Sequence, residues 1–276
     1  MFENFKRLIK TDKKDLYFSR LWGAFIRRVA LIPHRIMFYS PFKFYVQNRR
    51  KMVQFKDKYK GKRCFIIANG PSLKKIDFSL LKDEYTFGMN RIYLMKEQMG
   101  FLPTFLACCD ADSHIRPAHE ELDALDIPCF FSFIYRKYFS KKENQFFFLE
   151  RFNPAFRYDP THSIGAGKSI TYQVMELAFY MGFSEVYIIG KDHSFNTNLA
   201  VGTKIASDGN DENHFMKSYY KPGDLWIAPD FVSEEYAYSL ARKAYEKAGR
   251  VIKDATIGGK LQVFEKVDFY SLFDTK

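Results

Sequence analysis

A five-residue apolar run that stops abruptly in a turn restricts this chain more than any other feature. Cys64-Phe65-Ile66-Ile67-Ala68 is followed at once by Asn69-Gly70-Pro71-Ser72. A short, β-branched apolar run bounded by turn residues predicts a strand buried on both faces, as in parallel sheets. Gly70 accepts torsions that other residues avoid, and Pro71 with Ser72 suits the start of a turn or helix. Such a turn would offer backbone N–H groups to an anion such as phosphate. The same shape recurs at Tyr85–Asn90, Phe105–Asp110, Asp126–Phe131, Val186–Gly190 and Val251–Thr256. Helices are expected at Ile170–Met181, with Ser169 as cap, and at Ser233–Ala248, with Ser233 as cap and Gly249 as stop. Buried strands alternating with helices predict an α/β fold around a mostly parallel sheet with helices on both faces. Ligands in such sheets bind beyond the carboxyl ends of the strands, where Asn69, Asn90 and Asp110 would converge.

Charge divides the chain. Residues 1–63 hold 18 Lys and Arg against 4 Asp and Glu, a local charge of +14, so the other 213 of the 276 residues carry −3. Within the basic part, Leu16, Phe18, Leu21, Trp22, Phe25, Ile26, Val29 and Ile32 recur at three- and four-residue steps between Arg20, Arg27, Arg28 and Arg35. That pattern predicts a basic amphipathic helical arm over residues 1–60, broken near Pro33 and Pro41, ahead of a second domain at 61–276. An anionic membrane surface, met through residues 1–50, is the expected partner of the arm; packing on the body is the other reading, and nucleic acid is not expected. No run of 18 apolar residues predicts a membrane span, and the start lacks the pattern of a cleaved secretion signal. Cys64, Cys108, Cys109 and Cys129 lack metal spacing and read as reduced core residues of a cytoplasmic protein.

Further motifs carry chemistry. Gly165-Ala166-Gly167-Lys168-Ser169 resembles a nucleotide P-loop superficially, but the required first glycine would fall at His162, so the motif fails. What remains is a Gly-rich helix start, Gly167, Ser169 and Thr171, able to meet an anion. Asp110 and Asp112 suit a Mg²⁺ site or, equally, solvated helix caps. His114, His119 and His162 stand isolated, as surface or supporting residues. His193 follows the strand at 186–190 directly, and is either a core histidine or one placed at phosphates. Residues 136–160 read as an irregular insertion, and 196–232, with Asn210-Asp211-Glu212-Asn213-His214, as a mobile, lid-like loop.

Taken together, Ile67-Ala68-Asn69-Gly70-Pro71-Ser72-Leu73, Asn90, and Gly182-Phe183-Ser184-Glu185-Val186-Tyr187-Ile188-Ile189-Gly190-Lys191-Asp192 resemble the small bacterial CMP-sialic-acid-dependent sialyltransferases. Gly190–Phe195 and Asp254–Leu261 are more similar to their relatives, the hydroxymethylpterin diphosphokinase-like proteins and the motility accessory factors. The resemblance spans roughly residues 61–273. It implies a Rossmann-like sheet with CMP-sugar contacts at Asn69, Gly70, Pro71, Ser72 and Asn90. Asp110 stands where the family has Asn, and Ser169-Ile170-Thr171 where it has a Thr-Ser-Gly turn. The two tyrosines that hold the leaving phosphate in the family are not matched, and Ser194 and Ala200 stand at about their positions. The family's catalytic His corresponds to His214, four positions early, with Ser218 in its usual place.

The expected activity is therefore a glycosyltransferase of the sialyltransferase-like kind. It moves a nonulosonate such as sialic acid or Kdo from a CMP donor onto a bacterial cell-surface glycan, glycolipid or protein. His214, with His193 in reserve, is the expected base, and Asp192 and Ser194 join the nucleotide site. No cofactor or metal is required. The alternative is an ATP-dependent, Mg²⁺-requiring diphosphokinase with Asp110, Asp112 or Asp192 as ligands; a non-enzymatic membrane-associated module stands behind both. The expected location is cytoplasmic, at the inner membrane face, with homo-oligomers possible.

Overall fold

The computed structural model describes Trp22, Phe25, Ile26 and residues 28–153, 155–195 and 199–273. By internal contacts the chain forms two units, Met1–Val46 and Gln47–Lys276. This division falls earlier than the 60/61 boundary read from charge, because Met52, Phe55 and Tyr59 belong to the core of the second unit. Most of the expected arm helix lies outside the described residues. In the first unit α1 (Ile32–Tyr39) starts on Pro33 and leaves Ile32, Ile36 and Tyr39 exposed. α2 (Lys43–Val53) runs across the boundary.

The second unit is built on an eight-stranded sheet. Its strands are β1 (Arg63–Ile67), β2 (Tyr85–Met89), β3 (Phe105–Cys108), β4 (Cys129–Ser132), β5 (Gln145–Phe148), β8 (Glu185–Ile189), β11 (Val251–Asp254) and β12 (Glu265–Lys266). They lie in the order β12-β11-β8-β1-β2-β3-β4-β5, and every neighbouring pair is parallel. After β1 the chain steps outward through β2 to β5, then returns to place β8 on the other side of β1. The carboxyl ends of β1 and β8 thus form the topological switch point of a Rossmann-like α/β fold, the place where loops diverge and leave a crevice.

Burial on both faces explains the near-continuous apolar strands. Cys64, Ile66, Val186 and Ile188 join one core with α4 (Ile170–Tyr180) and α5 (Phe231–Lys247), while α3 (Arg116–Asp123) lies between β3 and β4 in the chain. Phe65 faces the other way, stacks with Phe273 and meets Phe269 edge-on. Each fully buried Ile or Phe contributes about 1.5–3 kcal/mol. The four cysteines are free thiols, three of them buried.

The stretch 136–160, expected to be irregular, contains edge strand β5 and the short β6 (Glu150–Arg151), which pairs with β7 (Ile164–Gly165). Asn48 covers the exposed edge of β5: its amide donates to the Phe147 carbonyl at 2.7 Å and accepts from the Phe147 N–H at 2.8 Å. An unpaired edge would otherwise invite another strand. The segment expected to be a mobile lid carries a hairpin of β9 (Lys204–Ala206) and β10 (Leu225–Ile227). Buried Arg91 fastens the loop between them, bonding the Tyr219 carbonyl at 2.9 Å and Asp224 at 2.7 Å. Among the described residues no helix is long and apolar enough to cross a membrane.

Candidate functional site

A cavity of about 630 Å³ opens at the switch point, and the loops after β1, β2, β3 and β8 all reach it. Asn69 and Gly70 follow β1, Asn90 follows β2, Asp110 follows β3, and Asp192, His193 and Ser194 follow β8. Ser169 and Thr171 enter from the start of α4, and His214 from the hairpin loop. Ten of the thirteen residues singled out from the sequence are thus brought together, and Pro71, Ser72 and Gly167 do not line the cavity.

These three exceptions have physical causes. The Asn-Gly-Pro-Ser turn opens a five-residue 3-10 helix, Pro71–Lys75, too short to concentrate donors on an anion. The Ser72 N–H and hydroxyl both donate to the Asp192 carboxylate, at 3.2 and 2.7 Å. Asp192 therefore occupies the anion position that the turn offers. A Cβ on Gly70 would run into that carboxylate and come within 2.6 Å of the Gly190 carbonyl, so glycine is required there for the two loops to meet. Gly167 (φ +53°) is needed because a Cβ would strike the ring of Tyr172.

The histidines differ sharply. His214 Nδ1 lies 2.7 Å from Asp211 Oδ2, and its ring stacks flat on Tyr219 at 4.1 Å. Because a carboxylate can only accept, Nδ1 carries the proton in this contact, which in the neutral ring leaves the lone pair on Nε2. His193 has its Nε2 2.9 Å from Glu235 and its ring on Phe231. Burial, then the charge of Lys191, lowers its pKa against the opposing pull of Glu235. His114, isolated in the sequence, is buried against Tyr220 and lines the cavity. Burial and, less strongly, Arg91 and His214 hold its pKa well below 6.5, so it stays neutral.

Most of the carboxylates at the cavity are engaged. Asp110 caps the Ser113 N–H at 2.9 Å, and Asp112 pairs with Lys204 and Arg116. Asp110 thus caps a turn, as one of the two readings has it, while Asp112 is held by two cations instead. Glu150 accepts from the Ser132 hydroxyl and from Gln173 Nε2; burial raises its pKa although both hydrogen bonds oppose the rise. Glu234 holds Lys191 at 2.8 Å. Burial is the largest single influence and would lower the Lys191 pKa, but Glu234 and Tyr238 together outweigh it and keep the ammonium charged. Among the described residues no cluster of three His, Cys, Asp or Glu has metal-holding geometry.

Five buried polar atoms of described residues in this lining have no hydrogen-bond partner in the protein: Asn69 Oδ1, Asn90 Oδ1, His114 Nδ1, Gln173 Oε1 and His193 Nδ1. Asn90 is also held at φ +53°, a conformation uncommon for a side-chain-bearing residue. Each unpaired buried atom costs about 1–3 kcal/mol, which a ligand able to complete its bonding would return. Asp211, Arg91, His114 and Lys168 were missed as site residues. The i, i+3 spacing of Asp211 and His214 was the one local signal available; Arg91 and His114 act through partners more than 100 residues away.

A parallel α/β sheet with its cavity at the switch point defines the class, a Rossmann-like protein. Within it the chain belongs to the MptE-like family, described as 6-hydroxymethylpterin diphosphokinase MptE-like, whose family model matches residues 39–198. Among solved structures it is similar to the MAf glycosyltransferase from Magnetospirillum magneticum AMB-1, with 14% identity and a TM-score of 0.49. That match covers 84% of this chain and 40% of the other, so the chain spans two fifths of that protein's length. No curated protein matches the chain.

Proposed function

We propose that the protein is a glycosyltransferase that moves a nonulosonate, such as sialic acid or Kdo, from a CMP donor onto a cell-surface glycan or protein. The observation that carries this reading is the His214–Asp211 pair in the wall of the cavity that also gathers Asn69 and Asn90. The two asparagines would bond the nucleoside. The start of α4, with Lys168 beside Ser169, and Lys191 would face the phosphate. His214 Nε2 takes the acceptor hydroxyl proton as that oxygen bonds to the anomeric carbon. The bond from that carbon to the phosphate oxygen breaks, and CMP leaves with the electron pair. Asp211 steadies the imidazolium that forms. In this reading no metal is needed. The exposed apolar residues Trp22, Phe25, Ile26, Val29, Ile32, Ile36 and Phe42, in a stretch rich in Arg and Lys, support contact with an anionic membrane where lipid-linked acceptors would be met.

Family membership supports a second reading, transfer of diphosphate from ATP with Mg²⁺ held by Asp110, Asp112 or Asp192. It would require Asp112 to leave Lys204 and Asp192 to leave Ser72. Thermal shifts with CMP, UDP, GDP and ATP, each with and without Mg²⁺, separate the two. Stabilisation by CMP without Mg²⁺ is expected; stabilisation by ATP alone, and only with Mg²⁺, would overturn the glycosyltransferase reading.

A further inference from the structure

Beside the switch-point cavity lies a second one of about 310 Å³, at the lower end of the roughly 300–1,000 Å³ range of small-ligand pockets. The two share Phe195, Asn213, His214 and Tyr220, so His214 stands in the wall between them. The β9–β10 hairpin supplies one side of the smaller cavity through Ile205, Ala206 and Trp226. Trp226 lies 5.9 Å from Phe195, and Phe195 meets His214 edge-on at 5.7 Å. This aromatic corner ends on the proposed base. Around it stand Asp208, Asn210, Asp211 and Glu212, and among the described lining residues there is no Lys or Arg.

We propose that this second cavity binds a single sugar ring, neutral or carrying an amino group, and that the ring is the acceptor. Its identity as acceptor, though not the binding of a sugar, rests on the glycosyltransferase reading. A pyranose presents C–H faces that pack on an aromatic ring and a rim of hydroxyls that donate to carboxylate and amide oxygens. Trp226 and Phe195 suit the first need, and Asp208, Asn210 and Glu212 the second. A ring held there sets a hydroxyl toward His214, with the donor on the other side. The uncompensated carboxylates select by charge: a carboxylated sugar is repelled and an ammonium group attracted. Asp211, already bonded to His214, serves the base rather than the sugar.

The chain contains two tryptophans, so Trp22→Phe leaves Trp226 as the sole tryptophan reporter in an otherwise full-length protein. Titration of this protein with the methyl glycosides of glucose, glucosamine and glucuronic acid should change Trp226 emission saturably for the first two. At low salt the glucosaminide should bind roughly three- to tenfold more tightly than the glucoside. An Asp208→Asn, Glu212→Gln double variant should lose that preference while keeping the CMP thermal shift. Emission unmoved by every glycoside, or a glucuronide that binds as well as the glucosaminide, would overturn the proposal. Should glycosides move Trp226 in a protein that ignores CMP, the donor reading falls and the sugar site stands. CMP binding with no glycoside response gives the reverse.

Discussion

His214 and His193 show how much a side chain's partner decides what it can do. Asp211 orients His214 and leaves Nε2 basic, whereas Glu235 occupies Nε2 of His193. His214→Ala should therefore lower transfer about 10²–10⁴-fold while leaving the CMP thermal shift in place. Asp211→Asn should lose part of the rate, and His193→Ala little; full activity in His214→Ala would remove the proposed base. His114 supplies a pH prediction. Its folded-state pKa is depressed below 6.5 by burial, so the unfolded chain takes up a proton that the folded one refuses. Stability is thus intact above about pH 6.5 and falls as pH drops below it, by up to about 1.4 kcal/mol per pH unit until the folded-state pKa is reached. His114→Phe, which keeps the stacking on Tyr220, should flatten this acid limb in urea denaturation measured from pH 7 to 5; an unchanged slope would refute the assignment. Asn69 and Asn90 were legible in the sequence because they follow apolar runs directly, and His193 because it lies in the loop just after one. The Asp192–Ser72 contact was not, because its partners lie 120 residues apart and meet only across β1 and β8.

Elements with strong periodicity were read almost residue for residue: β1, β2 and β8 fall within a residue or two of the apolar runs, and Ser169 caps α4 as its type and position suggest. β5 escaped because Gln145-Phe146-Phe147-Phe148 sits among charged and polar residues that mask a strand only four residues long. The cap of α5 is Asp230, whose carboxylate accepts from the Ser233 N–H at 3.1 Å, and the helix begins two residues before the serine expected to cap it. Pro229 ahead of Asp230 and the apolar pair Phe231-Val232 hid this start. Asp230→Ala should then cost about 0.5–2 kcal/mol and Ser233→Ala a few tenths at most, read as shifts in denaturation midpoint. Equal losses would return the cap to Ser233. Since Asp230 and Phe231 also line the cavity, fraying at this helix start should loosen ligand binding as well.

On the scale of the whole molecule, two units with different charge imply two separable tasks. Removing residues 1–40, all within the first unit, should release the protein from anionic liposomes at low salt and leave CMP stabilisation unchanged. Full-length protein that ignores such liposomes would refute the membrane role. The asymmetry of charge was plain in the sequence; the 46/47 division was not, because it depends on which aromatic residues of a basic stretch enter the core. The sheet order has a further consequence, for synthesis. β1 is central, yet one of its two neighbours, β8, begins only at Glu185, well over 100 residues later. A ribosome adding about 5–20 residues per second needs on the order of ten seconds to make that partner. During that interval one side of β1 stays unpaired, and β1 through β5 can assemble only as half a sheet with an open edge. The nascent chain is therefore most exposed to misassociation in mid-translation, and the arrival of β8 both seals the edge and completes the switch-point crevice.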